Sequence, residues 1–140
     1  MNELYTAEAL ATGAGRDGHV VTKDGQVEFD LAAPESMGGS GDGANPEQLF
    51  ASGYAACFHG ALQLVAKKDG VDVADSSIGS QVTLGKDDEG NLQLAVILEV
   101  VLPGVEKAKA QDLADKAHQV CPYSRATRGN IDVEIRVAED

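Results

Sequence analysis

The spacing of apolar and polar side chains changes period several times along the chain, and each change marks an element. Residues 3–11 alternate weakly and residues 19–23 and 26–31 more clearly, with Val27, Phe29 and Leu31 on one face, so three strands are expected. Asp24-Gly25 supplies the hairpin turn between the last two. From Ala33 to Ala44 the run Pro34, Gly38, Gly39, Gly41, Gly43 is too glycine-rich for regular structure and predicts a loop, a candidate flap. Asn45-Pro46-Glu47-Gln48 then announces a helix: Asn as N-cap, Pro at the first helical position, Glu near the positive end of the dipole and Gln in capping-box register. In Leu49 to Ala66 only Ser52, His59 and Gln63 are clearly polar, which predicts a long buried central helix. A membrane span competes for this run, but its polar interruptions and the small residues Gly53, Ala55, Ala56 and Gly60 favour close packing within protein.

The second half repeats the logic. Residues 76–86 and 91–102 read as strands paired around Asp87-Asp88-Glu89-Gly90, with Leu92, Leu94, Val96, Leu98 and Val100 alternating. Val105 to Val120 reads as a helix that Pro122 stops, with Arg125 and Arg128 in the turn beyond it. Ile131, Val133, Ile135 and Val137 alternate in a last strand whose Arg136 points outward. The predicted order is βββ-α-ββ-α-β, an α+β domain. At 140 residues the chain suits a single domain over residues 1–140. An apolar helix of about 24 residues spans about 36 Å, long for so small a domain, and predicts an intertwined homodimer in which each subunit's sheet helps cover the other's helix, with a monomer whose helix is kinked as the alternative.

Composition narrows the function. With 11 basic against 23 acidic residues the net charge is -12, which repels phosphate backbones and anionic headgroups, so neither nucleic acid nor a membrane surface is an expected partner. The N-terminal residues show no charged, apolar and small-residue succession, and a cytoplasmic location is the default expectation. In such a reducing compartment the two cysteines are packing residues, metal ligands or redox groups.

Cys57 falls about twelve residues into the central helix, roughly 18 Å from its start, where the dipole contributes little. A reactive Cys57 therefore needs a cation at contact distance, and arginine stays charged when desolvated. Arg16, between glycines in Gly13-Ala14-Gly15-Arg16-Asp17-Gly18, and Arg125 and Arg128 beyond Cys121 remain equal candidates on chemistry alone. Glu47 could orient a guanidinium by a bidentate bond or simply cap the helix. Cys121, at a helix end before Pro122, where a chain moves more freely, suits a resolving thiol. Cys57, His59, His118 and Cys121 also offer a Cys₂His₂ metal set, but residues two apart on a helix diverge by about 200°, so no metal site is expected. His59 and His118 are read as packing or surface residues and His19 as a strand-surface residue.

Two long segments carry a resemblance. Asn45-Pro-Glu-Gln-Leu-Phe-Ala-Ser-Gly-Tyr-Ala-Ala-Cys57-Phe resembles the segment around the peroxidatic cysteine of the organic hydroperoxide resistance (Ohr) branch of the Ohr/OsmC family. Val120-Cys121-Pro-Tyr-Ser-Arg-Ala-Thr-Arg-Gly-Asn130-Ile resembles the branch's resolving-cysteine segment, and it argues against the OsmC branch proper. Gly15-Arg16-Asp17-Gly18 and the Met37 to Gly43 loop match in place and order. The resemblance implies an OsmC/Ohr-like fold and a homodimer that reduces organic hydroperoxides, including fatty-acid-derived ones. Carried over by position, Cys57 attacks the peroxide, Cys121 resolves it, Arg16 stabilises the Cys57 thiolate and Glu47 orients Arg16. It also implies no bound cofactor, with a lipoyl dithiol, often on a lipoylated protein, as reductant.

Phe50, Tyr54, Phe58 and the Gly38 to Gly43 loop are candidates for an apolar substrate wall, with ordinary core as the alternative role of the aromatics. Two other classes stay open: a non-catalytic carrier of apolar ligands and a Cys/His metal-binding domain.

Overall fold

The structure is a computed structural model and describes residues 1–138. It divides into two compact units, Met1–Leu49 and Phe50–Asp140.

In the first unit, β1 (Ala9–Thr12), β2 (His19–Thr22) and β3 (Glu28–Asp30) form an antiparallel sheet in that order. β1 is shorter than the alternation of residues 3–11 suggested. Among the described residues it pairs with β2 alone, from Thr12↔His19 to Ala9↔Thr22, and the pairing ends where the Lys23 N–H donates to the Glu8 carbonyl oxygen at 2.9 Å, just before the Asp24-Gly25 turn. Leu31 lies outside the strand and makes an isolated bridge to Ala44. The shared face expected of Val27, Phe29 and Leu31 is not buried within this chain, for Val27 and Phe29 are 41% and 42% exposed. The glycine-rich stretch is a loop, broken by one short 3₁₀ turn at Glu35–Met37.

Helix α1 (Pro46–Lys68) starts at the end of the first unit and continues through the second. Its N-terminus carries the capping box: the Gln48 N–H donates to Asn45 Oδ1 at 2.9 Å and the Asn45 N–H to Gln48 Oε1 at 3.0 Å. α1 is long and apolar enough to cross a membrane, yet Tyr54, Phe58, Ala61, Leu62, Val65 and Ala66 form a helical stripe buried in protein. Burial is one-sided in this chain, because Ser52, Ala56, Gly60, Gln63 and Leu64 remain exposed.

The remaining elements follow the predicted order with one addition. β4 (Ser77–Lys86) and β5 (Leu92–Val101) pair antiparallel, with Val82 opposite Val96, and Asp87 Oδ1 accepts the N–H groups of Glu89 and Asn91 in the turn. α2 (Lys107–Val120) crosses over to β6 (Val133–Val137), which pairs parallel to β5. Val96, Leu98 and Val100 of β5 pack with the α1 stripe and with Ala110, Leu113, Ala114 and Ala117 of α2. Each large aliphatic buried this way contributes about 1.5–3 kcal/mol. Leu92 leaves the alternation at the hairpin end, where it is exposed.

The addition is α3 (Pro122–Thr127). Pro122 both ends α2 and opens a new helix, so Arg125 lies in a helix rather than a turn. Cys121 is at once the C-cap of α2 and the N-cap of α3.

Candidate active site

Arg16 lies in a 3₁₀ turn, Gly15–Asp17, that only its glycines allow. Gly15 has a φ of +64°, and a Cβ on Gly18 would run into the Thr12 carbonyl oxygen. Asp17 Oδ1 secures the turn by accepting the Ala33 N–H at 3.1 Å. The Arg16 guanidinium meets Glu47 in a two-pronged pair, with Nη1 donating to Oε2 at 2.9 Å and Nη2 to Oε1 at 2.8 Å. Asn45 and Gln48 perform the capping, which frees the Glu47 carboxylate for this role. The Arg16 bond holds the Glu47 carboxyl below its ordinary range and raises the Arg16 guanidinium, so both stay charged.

In the second unit the two cysteines are free and adjacent, with Cys121 Sγ 3.5 Å from Cys57 Sγ. Cys57 is half-buried on α1, whereas Cys121 is wholly buried. The freedom expected of Cys121 at a helix end is therefore not what the fold provides: its sulfur accepts the Ser124 N–H at 3.5 Å and caps α3. Burial pushes the Cys57 thiol above its ordinary pKa; the Tyr123 backbone N–H works against that shift, and the Cys121 thiol adds to it. Within its own unit, then, Cys57 favours the thiol form.

Beneath the cysteines runs a buried polar network that sequence reasoning missed. Tyr54 Oη lies 2.8 Å from Ser124 Oγ and 3.0 Å from Thr127 Oγ1, and His118 Nδ1 lies 2.8 Å from Ser124 Oγ. Burial first, and the Arg128 charge next, lower the His118 pKa and so favour the neutral ring. Cys121-Pro122-x-Ser124, a capping residue followed by Pro at the first helical position, has the same grammar as Asn45-Pro46 and signals α3, which carries Ser124 and Thr127, but not their partners Tyr54 and His118.

The other candidates fall elsewhere. Arg128 Nη1 donates to the His118 carbonyl oxygen at 2.8 Å, and Arg136 pairs with Glu134 at 2.7 Å. Arg125 is exposed on α3. His59 bonds Ser76 at 2.9 Å, and His19 sits between Asp30 and Glu28 at 2.8 Å from each. Among the described residues no three His, Cys, Asp or Glu side chains group to hold a metal ion, which leaves the Cys/His metal alternative without a ligand set there. Tyr54 and Phe58 are fully buried core residues. Phe50 is partly buried, edge-on to Tyr54 at 6.0 Å and tilted against Tyr123 at 6.2 Å.

A family model described as OsmC-like protein matches residues 39–136, which include both cysteines. An organic hydroperoxide resistance protein of Xanthomonas axonopodis pv. citri is 52% identical over 137 residues, covering 96% of this chain and 95% of that protein. The chain belongs to the organic hydroperoxide resistance branch of the OsmC-like family. The organic hydroperoxide resistance protein OhrB of Bacillus subtilis is 47% identical, covering 96% of this chain and 98% of its own. The crystal structure of an organic hydroperoxide resistance protein from Legionella pneumophila matches with a TM-score of 0.93 at 46% identity, covering 99% of this chain and all of that one. The α+β fold is thus that of the family.

Proposed function

We propose that this protein is a thiol-dependent peroxidase that reduces organic hydroperoxides, alkyl and fatty-acid-derived, to alcohols. The observation that carries the reading is the 3.5 Å separation of two free cysteine sulfurs, one half-buried and one wholly buried, in a chain whose relatives are named for organic hydroperoxide resistance. The Cys57 thiolate attacks the outer peroxide oxygen; the O–O bond breaks, the alkoxide takes a proton and leaves as alcohol, and Cys57 becomes a sulfenic acid. Cys121 then attacks that sulfur, forming the disulfide and releasing water. A lipoyl dithiol reopens the bond by thiol–disulfide exchange and is itself oxidised to the cyclic disulfide.

Because burial favours the Cys57 thiol, the reading assigns Arg16, held by Glu47, to stabilise the thiolate, from the same or a second subunit. Phe50 is the aromatic best suited to meet an apolar substrate, being only partly buried, with Tyr54 and Phe58 behind it as core. The exposed apolar positions of the first sheet and of α1 support a homodimer that covers them. A cytoplasmic setting, where thiols stay reduced, completes the proposal.

The test is reaction of the reduced protein with one equivalent of cumene hydroperoxide. Consumption of the peroxide with loss of two hydrogens from the protein mass is expected, and dihydrolipoamide should restore the starting mass. Turnover by Cys57→Ser would remove Cys57 as nucleophile, and failure of dihydrolipoamide to reopen the disulfide would remove the lipoyl reductant.

A further inference from the structure

The polar network beneath the cysteines can be followed proton by proton. Thr127 Oγ1 donates its one proton to the Ser124 carbonyl oxygen at 3.2 Å. Its contact with Tyr54 at 3.0 Å must then be donated by the tyrosine hydroxyl. The tyrosine proton is thereby used, so the 2.8 Å contact between Tyr54 and Ser124 must be donated by Ser124. With the Ser124 proton committed, the 2.8 Å contact between His118 Nδ1 and Ser124 Oγ requires His118 to donate. Every contact of the network is satisfied by one directed chain, His118 Nδ1–H to Ser124, to Tyr54, to Thr127, to the Ser124 carbonyl. A neutral ring protonated at Nδ1 and a charged ring both supply that first donor.

The chain joins three helices at places that matter for the sulfurs. Tyr54 lies three residues before Cys57 on α1, and His118 three residues before Cys121 at the end of α2; residues so spaced on a helix share a face. Ser124, fully buried, touches both sides, its hydroxyl closing the chain and its N–H bonding Cys121 Sγ. Arg128 adds a tie from beyond α3 to the His118 carbonyl oxygen at 2.8 Å.

We propose that His118 is a positioning residue for Cys121: its Nδ1–H anchors Ser124 and, through Ser124 and Tyr54, holds the Cys121 sulfur against Cys57. The role as positioner of a resolving thiol rests on the peroxidase reading above; the geometric claim does not. Closing the disulfide brings the sulfurs from 3.5 Å to the bond length of about 2.05 Å, and a fixed near approach is worth a large rate factor. In the redox step itself the S–S bond forms, the S–O bond of the sulfenic acid breaks, and water carries off the oxygen and the thiol proton. His118 takes no part in that exchange.

The experiment compares wild type, His118→Leu and His118→Asn, all as reduced full-length protein. Asn can place its Nδ2–H where the imidazole Nδ1–H stands, and Leu cannot. Each protein is oxidised in one arm with cumene hydroperoxide and in the other with diamide, which takes two electrons and two protons from a dithiol without any peroxide. Disulfide formation should slow about tenfold in His118→Leu in both arms. In the peroxide arm the Cys57 product should shift from disulfide toward sulfinic acid. His118→Asn should restore both. A merely structural role would lower the melting temperature and leave the product ratio where it was. Wild-type disulfide rates in a folded His118→Leu, or no recovery in a folded His118→Asn, would overturn the proposal. If wild type ignores the peroxide, the peroxidase reading falls while the diamide arm still decides the role of His118.

Discussion

Cys57 Sγ and Cys121 Sγ stand 3.5 Å apart although the residues are separated by 64 positions in sequence. They are too far apart to be bonded, and close enough that a small rotation about the side chains suffices. Cys121 is wholly buried, so a bulky external thiol has little access to it, and its partner in the fold is Cys57. Cys121→Ser is therefore expected to consume one equivalent of hydroperoxide, stop, and gain two oxygens on Cys57 when peroxide is in excess. Intact-mass spectrometry reads this directly. Sustained turnover by Cys121→Ser with dihydrolipoamide at the wild-type rate, and without over-oxidation of Cys57, would remove Cys121 from the cycle.

The Arg16–Glu47 pair predicts a shift in Cys57 titration. Burial raises the Cys57 thiol, so fewer molecules carry the thiolate at neutral pH unless a cation offsets that shift. If Arg16 is that cation, Arg16→Ala moves the pH midpoint of Cys57 alkylation upward by roughly 1–3 units. Glu47→Gln moves it less in the same direction, because an amide still accepts one guanidinium hydrogen bond but without charge assistance. An unmoved midpoint in Arg16→Ala would exclude Arg16 from the thiolate's surroundings.

Tyr54→Phe removes one hydroxyl from the buried network and keeps the ring. Ser124 and Thr127 each lose a partner, and both are buried. Leaving such groups unsatisfied costs about 1–3 kcal/mol, which urea denaturation should show as a lower midpoint at unchanged slope. A midpoint equal to wild type would mean that water replaces the hydroxyl.

The sequence announced most of these parts, and the physical reasons for the exceptions are specific. Asn45-Pro46-x-Gln48 marked the start of α1 because capping is local chemistry, and the β4–β5 hairpin was legible because Leu92, Leu94, Val96, Leu98 and Val100 alternate along β5 and Asp87-Asp88-Glu89-Gly90 marks the turn. The same grammar at Cys121-Pro122-x-Ser124 was read only as a stop, so α3 was missed: cysteine is an uncommon cap, and a six-residue helix has no period to reveal it. Strand β1 was overextended because the length of an edge strand is set by its partner. The family segments placed Arg16 beside Glu47, which local sequence could not do across 31 positions. The Tyr54–Ser124–His118 network joins residues up to 70 positions apart, and no spacing rule connects them.

A last prediction concerns the acid limit of stability. Asp69, just beyond the end of α1, accepts Lys109 Nζ at 2.8 Å and Lys116 Nζ at 2.7 Å, tying the helix end to α2. The Lys109 bond first, and the Lys116 bond next, lower the Asp69 carboxyl from 3.8 to about 2. A carboxyl depressed in the folded state adds stability above its unfolded pKa, and loses it as pH falls through the folded value. Asp69→Asn should therefore melt below wild type at neutral pH, with the gap closing between about pH 4 and pH 2. Both lysines are more than a third exposed, so added salt should narrow the gap at pH 7 as well. A gap of the same size at pH 2 and pH 7 would trace the loss to packing, and the ion pairs would then have no part in it.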